Sequence, residues 1–346
     1  MVFAHLTRHW MARRHYPFAS WAACIARSLR VLLFHRAHRE LLALAIYRDY
    51  VTRAHDDVFH HLSHRNYLAK GLSLRQRVRC VLTHYRFEDA MFDTAYKRAV
   101  YRDGGLVLWE HAANSVQVAV KLVMAQRLNA EGDLTVALTA DGKVLHRLSF
   151  SWVDDAFAGT AALGVSGILP FIARNQGHRA DAADAVDAFR RAFPDNSPLV
   201  KTPVFFCFAA LQGLAQALDM NQVMAVKSAW HCGYDLADEK QFANAYDGFW
   251  AILGATELPG PAWHIALPFY EKPLSEIPSK HRRRAAVRRE HWRVIAASAR
   301  QVLRNHMVHA QLFPDVAAPD SREAGLADTH RVTGLDATAL APSRPA

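Results

Sequence analysis

The chain has 346 residues, 51% of them hydrophobic and 21% charged, with a formal net charge of +10 at pH 7. This composition is typical of a globular protein with a sizeable core and excludes collagen-like and wholly disordered chains. No apolar run reaches the roughly 18 to 20 residues of a membrane-spanning helix. The four cysteines, Cys24, Cys80, Cys207 and Cys232, form no C-x-x-C pair, which excludes a zinc ribbon and argues against a disulfide framework.

The positive charge is concentrated at two flanks. Residues 1–65 carry a net charge of +6 and residues 276–309 carry +7, whereas residues 66–275 carry −1. Basic flanks favour contact with an anionic partner, either membrane lipid or nucleic acid. His9, Arg13 and Arg14 interrupt the N-terminus before any apolar stretch of a secretory signal. We therefore expect a cytoplasmic protein. If its anionic partner is lipid, we expect it to be peripheral to the inner membrane.

The first third of the chain predicts helices, and the next part predicts strands. Residues 18–62 are rich in Ala, Leu and Arg, and Ser73 is a plausible N-cap for a second helical stretch. Alternating or β-branched segments then predict four strands in succession: Leu106–His111, Val116–Leu128, Leu134–Thr139 and Val144–Trp152. Asp141–Gly142 between the last two is typical of a type I′ hairpin turn.

Helical and strand patterns alternate in the second half. The predicted strands are Gln222–Ser228, Trp263–Pro268 and Ala161–Phe171, the last being either a buried strand or a strand and a turn. The predicted helices are Asp181–Phe193, a helix capped by Thr202 that runs to Leu218, the amphipathic helix Phe242–Leu253, and the long helix Arg283–Met307. The fold class is therefore α+β: N-terminal helices, a central antiparallel β-meander, helix–strand–helix–strand and a basic C-terminal helix. We expect a basic helical region at 1–65, an α+β domain at 66–310 and a disordered tail at 311–346.

An ordered set of short segments resembles the VirK/YbjX family of bacterial proteins, over about residues 60 to 300. The segments are Asn66-Tyr67-Leu68, His84-Tyr85-Arg86-Phe87, Glu131–Leu138, His146–Ser151, Tyr246–Trp250 and Ile277–Lys280. The resemblance implies an intracellular accessory protein linked with virulence, envelope or antimicrobial-peptide stress, and DNA damage. It implies no catalytic residues.

One candidate site follows the strand predicted at 222–228. His231 could serve as a general base and Tyr246 as an acid, with Lys227, Lys240 and Trp250 as ligand-binding residues. Strand ends beside a helix commonly hold ligands. The alternative is that the aromatic side chains at helical spacing belong to the core and that His231 is a turn residue.

The meander followed by strand–helix–strand also resembles the GNAT acyltransferases, in which helix N-terminal amides hold a pyrophosphate. Those enzymes carry an Arg-x-x-Gly-x-Gly/Ala loop. Here the loop is Asp195–Lys201, which contains no glycine, and Pro203 removes an amide donor. No cofactor is expected, except acyl-CoA under this alternative.

The second candidate site is a cationic cluster at the start of the long helix. The residues expected to contact an anionic partner are Lys280, Arg282, Arg283, Arg284, Arg288 and Arg289. On a helix, Arg284 and Arg288 lie one turn apart and share a face. The alternative is a solvated helix face. No helix-turn-helix, zinc-finger or RNP motif predicts sequence-specific DNA recognition, and His60, His61 and His64 fall short of a metal set, so no metal is expected.

Overall fold

A computed structural model of the chain describes residues 17–51, 62, 65–125, 131–154, 157, 167–177, 183–193, 197–201 and 203–308. These described residues belong to one compact unit. The predicted tail at 311–346, the Thr202 cap and the three histidines at 60–64 lie outside them.

The N-terminal helices are confirmed where they are described. Helix α1 spans Phe18–Leu32, α2 spans His35–Ala43, and a π-helical turn follows at Ile46–Tyr50. The Asp89 side chain accepts the backbone N–H of Ile46 at 2.8 Å, which joins this region to the rest of the molecule.

Helix α3 spans Leu74–Met91 and begins as the sequence predicts. The Ser73 hydroxyl accepts the Gln76 N–H, and the Gln76 side chain accepts the Ser73 N–H at 2.9 Å, which completes a capping box. Helix α4 follows at Thr94–Tyr101, with Asp93 as its N-cap. Both helices contribute buried aromatic side chains to the main core.

One eight-stranded sheet forms the centre of the fold, in the order β1-β2-β3-β4-β5-β6-β8-β7. Its strands are β1 Leu106–Ala113, β2 Val116–Met124, β3 Leu134–Ala140, β4 Lys143–Asp154, β5 Ile168–Gly177, β6 Gln222–Val226, β7 Thr256–Glu257 and β8 Ala262–Ala266. All neighbours are antiparallel except β5 and β6. The predicted α+β class with a central meander is confirmed. Asp141 and Gly142 both have positive φ, 47° and 76°, as the predicted hairpin turn requires.

Several predicted boundaries were wrong, and one predicted helix is divided in two. The strand predicted at 161–171 begins at Ile168 and continues to Gly177, and the strand predicted at 222–228 ends at Val226. The helix predicted at Phe242–Leu253 is two helices, α7 Glu239–Ala245 and α8 Asp247–Ile252. At the break, the Asp247 carboxylate accepts hydrogen bonds from two residues outside these helices, Ser228 and the indole of Trp263.

Three further helices cover the sheet: α5 Ala183–Arg191, α6 Val204–Ala217 and α9 Ser279–Arg304. Helices α6 and α9 approach each other closely at Gly213. A Cβ at this position would lie 2.2 Å from the Ala296 carbonyl oxygen, so only glycine fits there. Among the described residues, no helix combines the length and apolar character needed to cross a bilayer.

Candidate functional site

The N-terminal half of α9 presents a basic face, defined here as Lys280, Arg283, Arg284 and Arg288. These residues are three or four positions apart and therefore share one side of the helix. Lys280, Arg283 and Arg284 are exposed, and Arg288 is half-buried. None of the four forms an ion pair with a described carboxylate. Partial burial and the neighbouring Arg289 and Arg284 lower the pKa of Arg288. The like charges on this face are thus not neutralised within the described part of the chain.

The other two predicted arginines hold the chain that precedes the helix. Arg282 donates hydrogen bonds to the carbonyl oxygens of Ile277 at 2.8 Å and Ser275 at 3.0 Å. Arg289 donates to the Lys272 carbonyl oxygen and lies 3.4 Å from the Glu271 carboxylate. These two side chains hold the segment at 271–277 against α9, with Arg282 exposed and Arg289 half-buried.

The C-terminal half of α9 holds the basic face in place. Ile295, Ala299 and Leu303 are buried in the main core. Val287 and Val294, two turns apart on the outer side, are 46% and 50% exposed. The basic face is therefore the projecting end of a helix anchored in the core, with exposed aliphatic side chains beside it.

His231 and Tyr246 lie together where β5 and β6 diverge. The two parallel strands pair only at Phe171–Met224 and Ile172–Ala225. Beyond that point the Tyr246 hydroxyl accepts the backbone N–H of Asn175 at 3.4 Å and lies 2.9 Å from Nε2 of His231. Both side chains are buried. The chain thus fills the gap between its diverging strands with its own polar pair.

The hydrogen bonds of His231 define its protonation. Its Nδ1 accepts the Gly233 backbone N–H at 3.0 Å, so in the neutral ring the proton is on Nε2 and is donated to Tyr246. Burial, with help from Arg174 and Lys70, lowers the pKa of His231 to about 4. The ring is therefore neutral near pH 7, and both of its nitrogens are engaged. Burial also raises the pKa of Tyr246 well above its ordinary value.

Of the remaining predicted ligand residues, the structure brings Trp250 to this pair but neither lysine. Lys227 donates to the Glu257 carboxylate at 2.8 Å and to the Leu258 carbonyl oxygen. Lys240 is exposed on α7. Trp250 is fully buried and donates its indole N–H to the Val226 carbonyl oxygen at 2.9 Å. Of the five residues, the structure therefore joins His231, Tyr246 and Trp250, whose ring lies edge-on to that of Tyr246 with centroids 6.1 Å apart.

A second buried polar cluster, which the sequence reasoning missed, centres on the fully buried Glu88 of α3. Its carboxylate accepts hydrogen bonds from the Trp152 indole at 2.5 Å and from the hydroxyls of Tyr96 and Tyr101, each at 3.1 Å. No cationic side chain among the described residues hydrogen-bonds to it. Burial raises the pKa of Glu88 to about 7, against the opposing effect of its three donors.

Further polar groups extend this cluster. Nε2 of His84 lies 3.2 Å from the Tyr101 hydroxyl, and its Nδ1 accepts the Trp152 backbone N–H at 3.3 Å. Nearby, Asp133 accepts hydrogen bonds from Tyr67 and from the Ser151 hydroxyl. His84, Tyr67, Asp133 and Ser151 all lie in the segments that carry the family resemblance, which is the one sequence signal that pointed to this cluster.

Comparison with known proteins gives one result. The family model described as "Protein of unknown function (DUF535)" matches residues 14–293, which include part of the basic N-terminal region. No curated protein and no solved structure matches the chain. In the described part of the chain, no three His, Cys, Asp or Glu side chains are arranged to hold a metal ion. The match covers most of the sequence, and the chain belongs to this family, which is the VirK/YbjX family.

Proposed function

We propose that the protein is a peripheral, cytoplasmic accessory protein that docks on anionic lipid through the basic face of α9. The supporting observation is that Lys280, Arg283 and Arg284 are exposed without ion-pair partners among the described residues, on a helix anchored in the core. Docking at the inner membrane agrees with the envelope-stress and virulence roles that the family resemblance implies.

The exposed apolar residues favour lipid over nucleic acid. Phe18, Leu29, Leu32 and Leu33, at and just after α1, are between 44% and 79% exposed. A helix with large exposed apolar residues in a basic region is typical of segments that lie in the membrane interface. Nucleic-acid binding needs the cations but gains nothing from exposed leucines.

A flotation assay at about 0.1 M salt tests the proposal with vesicles of phosphatidylglycerol and phosphatidylcholine. The test variant is Lys280→Gln/Arg283→Gln/Arg284→Gln. Each basic residue near an anionic surface contributes on the order of 1 kcal/mol, so the variant should bind about 100-fold more weakly. The matched control is Arg98→Gln/Lys143→Gln/Arg190→Gln, which removes three exposed cations elsewhere and should bind like the unmodified protein.

Two outcomes would contradict the proposal. One is equal binding to vesicles of pure phosphatidylcholine, and the other is undiminished binding of the test variant. Filter binding with duplex and single-stranded DNA is run in parallel. Tight binding to DNA with a steep salt dependence, combined with no vesicle binding, would assign the basic face to nucleic acid.

GNAT-like acyl transfer is the second candidate. Its support is the parallel β5–β6 pair, which separates after two residue pairs with His231 and Tyr246 in the gap. It ranks second because that pair fills the gap and the preceding loop has no glycine. Calorimetry with acetyl-CoA tests it: absence of binding at millimolar ligand removes the candidate, and with binding, His231→Ala or Tyr246→Ala should reduce turnover.

A further inference from the structure

A second site, distinct from the basic face, lies between α6, α9 and the segment after β8. It is a cavity of about 360 Å³, within the size range of small-molecule pockets. Aromatic rings form much of its wall: Phe205, Phe208, Phe269, Tyr270 and Trp292. The rings of Phe205 and Trp292 are stacked with centroids 4.6 Å apart. This wall suits a hydrocarbon chain.

The aromatic cavity adjoins a polar groove of about 410 Å³, with Gln212 and Arg293 lining both. Arg300 and Arg304 of α9 also line the groove. Arg300 is exposed and forms no ion pair with a described residue, and Arg304 lies 3.9 Å from Asp219, which is 90% exposed. The groove is therefore cationic.

The acidic residue of the cavity does not cancel this charge. Glu271 is 3.4 Å from Arg289 and 3.5 Å from Arg293, so two guanidinium groups compensate its carboxylate.

We propose that the aromatic cavity and the groove together bind a single-chain amphipathic anion. Its hydrocarbon chain lies among the aromatic rings of the cavity, and its phosphate or carboxylate contacts Arg300 and Arg304 in the groove. This inference goes beyond the proposed docking function, since it uses different residues and a ligand in free solution.

Isothermal titration without vesicles tests this site with decyl phosphate and decanoate, which separate a phosphate head from a carboxylate head. Both anions should bind, whereas decyltrimethylammonium should not. Arg300→Gln removes one charge-assisted contact and should weaken binding about tenfold. Ala209→Phe, which fills the cavity from α6, should abolish it. Arg190→Gln, an exposed arginine of α5, is the matched control and should bind normally.

Three results would overturn the inference: no heat with either anion, equal binding of the cationic amphiphile, or undiminished affinity of Arg300→Gln. Arg300 is exposed, so this variant remains informative if Ala209→Phe does not fold. The Lys280/Arg283/Arg284 variant should bind decyl phosphate normally. Failure of vesicle docking and failure of this site are therefore separate outcomes.

Discussion

The Glu88 cluster and the His231–Tyr246 pair are both buried polar groups beside the same sheet, but they are built differently. Glu88 is fully buried and its carboxylate is surrounded by three aromatic donors. The His231–Tyr246 pair lies at a strand gap, and the Glu131–Arg174 ion pair, in which both side chains are more than a quarter exposed, is its neighbour.

The difference teaches that an acid–base pair suggested by residue type is not the group whose pKa the fold brings nearest to neutral pH. His231 and Tyr246 satisfy each other and two backbone amides. Glu88 instead holds a carboxyl group in a site without a hydrogen-bonding cation among the described residues, and such a site favours the protonated form. The His231–Tyr246 pair thus fills the space beside the strands with satisfied hydrogen bonds, whereas the Glu88 carboxyl is partly protonated near pH 7.

The largest expected effect comes from deleting the Glu88 carboxyl. Glu88→Ala leaves three buried donors unpaired and opens a cavity, so we expect a loss of about 4 kcal/mol in the free energy of unfolding. Urea denaturation at pH 7 measures this. Glu88→Gln keeps an acceptor in place and should lose much less. Equal losses would show that volume rather than hydrogen bonding makes this cluster important.

The next effect is pH-dependent. The pKa of Glu88 is raised to about 7 by burial, so its contribution to stability is complete below pH 4.5 and is lost as the pH rises through 7. Glu88→Gln removes this dependence. Relative to the unmodified protein, the variant should therefore gain about 2 kcal/mol between pH 5 and pH 8. Denaturation of both proteins at the two pH values measures this gain. A difference in stability that is the same at both pH values would contradict a raised pKa of Glu88.

His84 gives the stability of the protein the opposite dependence on pH. Burial lowers its pKa to about 4, so its contribution is complete above pH 6.5 and is lost as the pH falls through 4. Because His84 opposes Glu88 between pH 4.5 and 6.5, the Glu88→Gln variant should lose stability more steeply on acidification than the unmodified protein does.

A smaller effect is expected at the strand gap. Tyr246→Phe removes the acceptor of the Asn175 amide and of the His231 ring, and should lower the free energy of unfolding by about 1–2 kcal/mol. Tyr270→Phe changes a tyrosine that is 56% exposed and is the control. If both variants have the same free energy of unfolding, the Tyr246 hydroxyl does not stabilise this region.

The smallest effect is expected at Tyr85 of α3, whose buried hydroxyl makes no well-aligned hydrogen bond to a described residue. Burial and the nearby Asp133 carboxylate raise its pKa. Tyr85→Phe removes a polar group that loses its solvation and gains only this weak interaction, so stability should change by less than about 0.5 kcal/mol. Thermal unfolding measures it. A loss comparable with that of Tyr246→Phe would show that the Tyr85 hydroxyl has a strong partner.

Sequence patterns predicted those caps and turns that are determined by neighbouring residues. The capping box at Ser73 and the positive φ angles at Asp141 and Gly142 follow from neighbouring residues alone. The break at Tyr246 could not be predicted, because it depends on hydrogen bonds to Asp247 from Ser228, nineteen residues away, and from Trp263, sixteen residues away.

The candidate sites likewise differ in how far the sequence could predict them. Charge spacing predicted the basic face of α9, and the pairing of His231 with Tyr246 was within reach of the sequence. The Glu88 cluster joins side chains from α3, α4 and β4, and Glu88 itself looks like any helical glutamate. No sequence pattern indicates which arginines hold the 271–277 segment. The aromatic cavity between two helices also has no sequence pattern of its own.

The close approach of α6 and α9 at Gly213 has a thermodynamic consequence. Helix α9 carries the basic face at its first turns and lines the cavity further along, and it packs directly against α6 where Gly213 meets Ala296. If both proposed ligands bind, any coupling between them must be reciprocal: an occupied cavity alters vesicle affinity by the same factor by which vesicles alter ligand affinity.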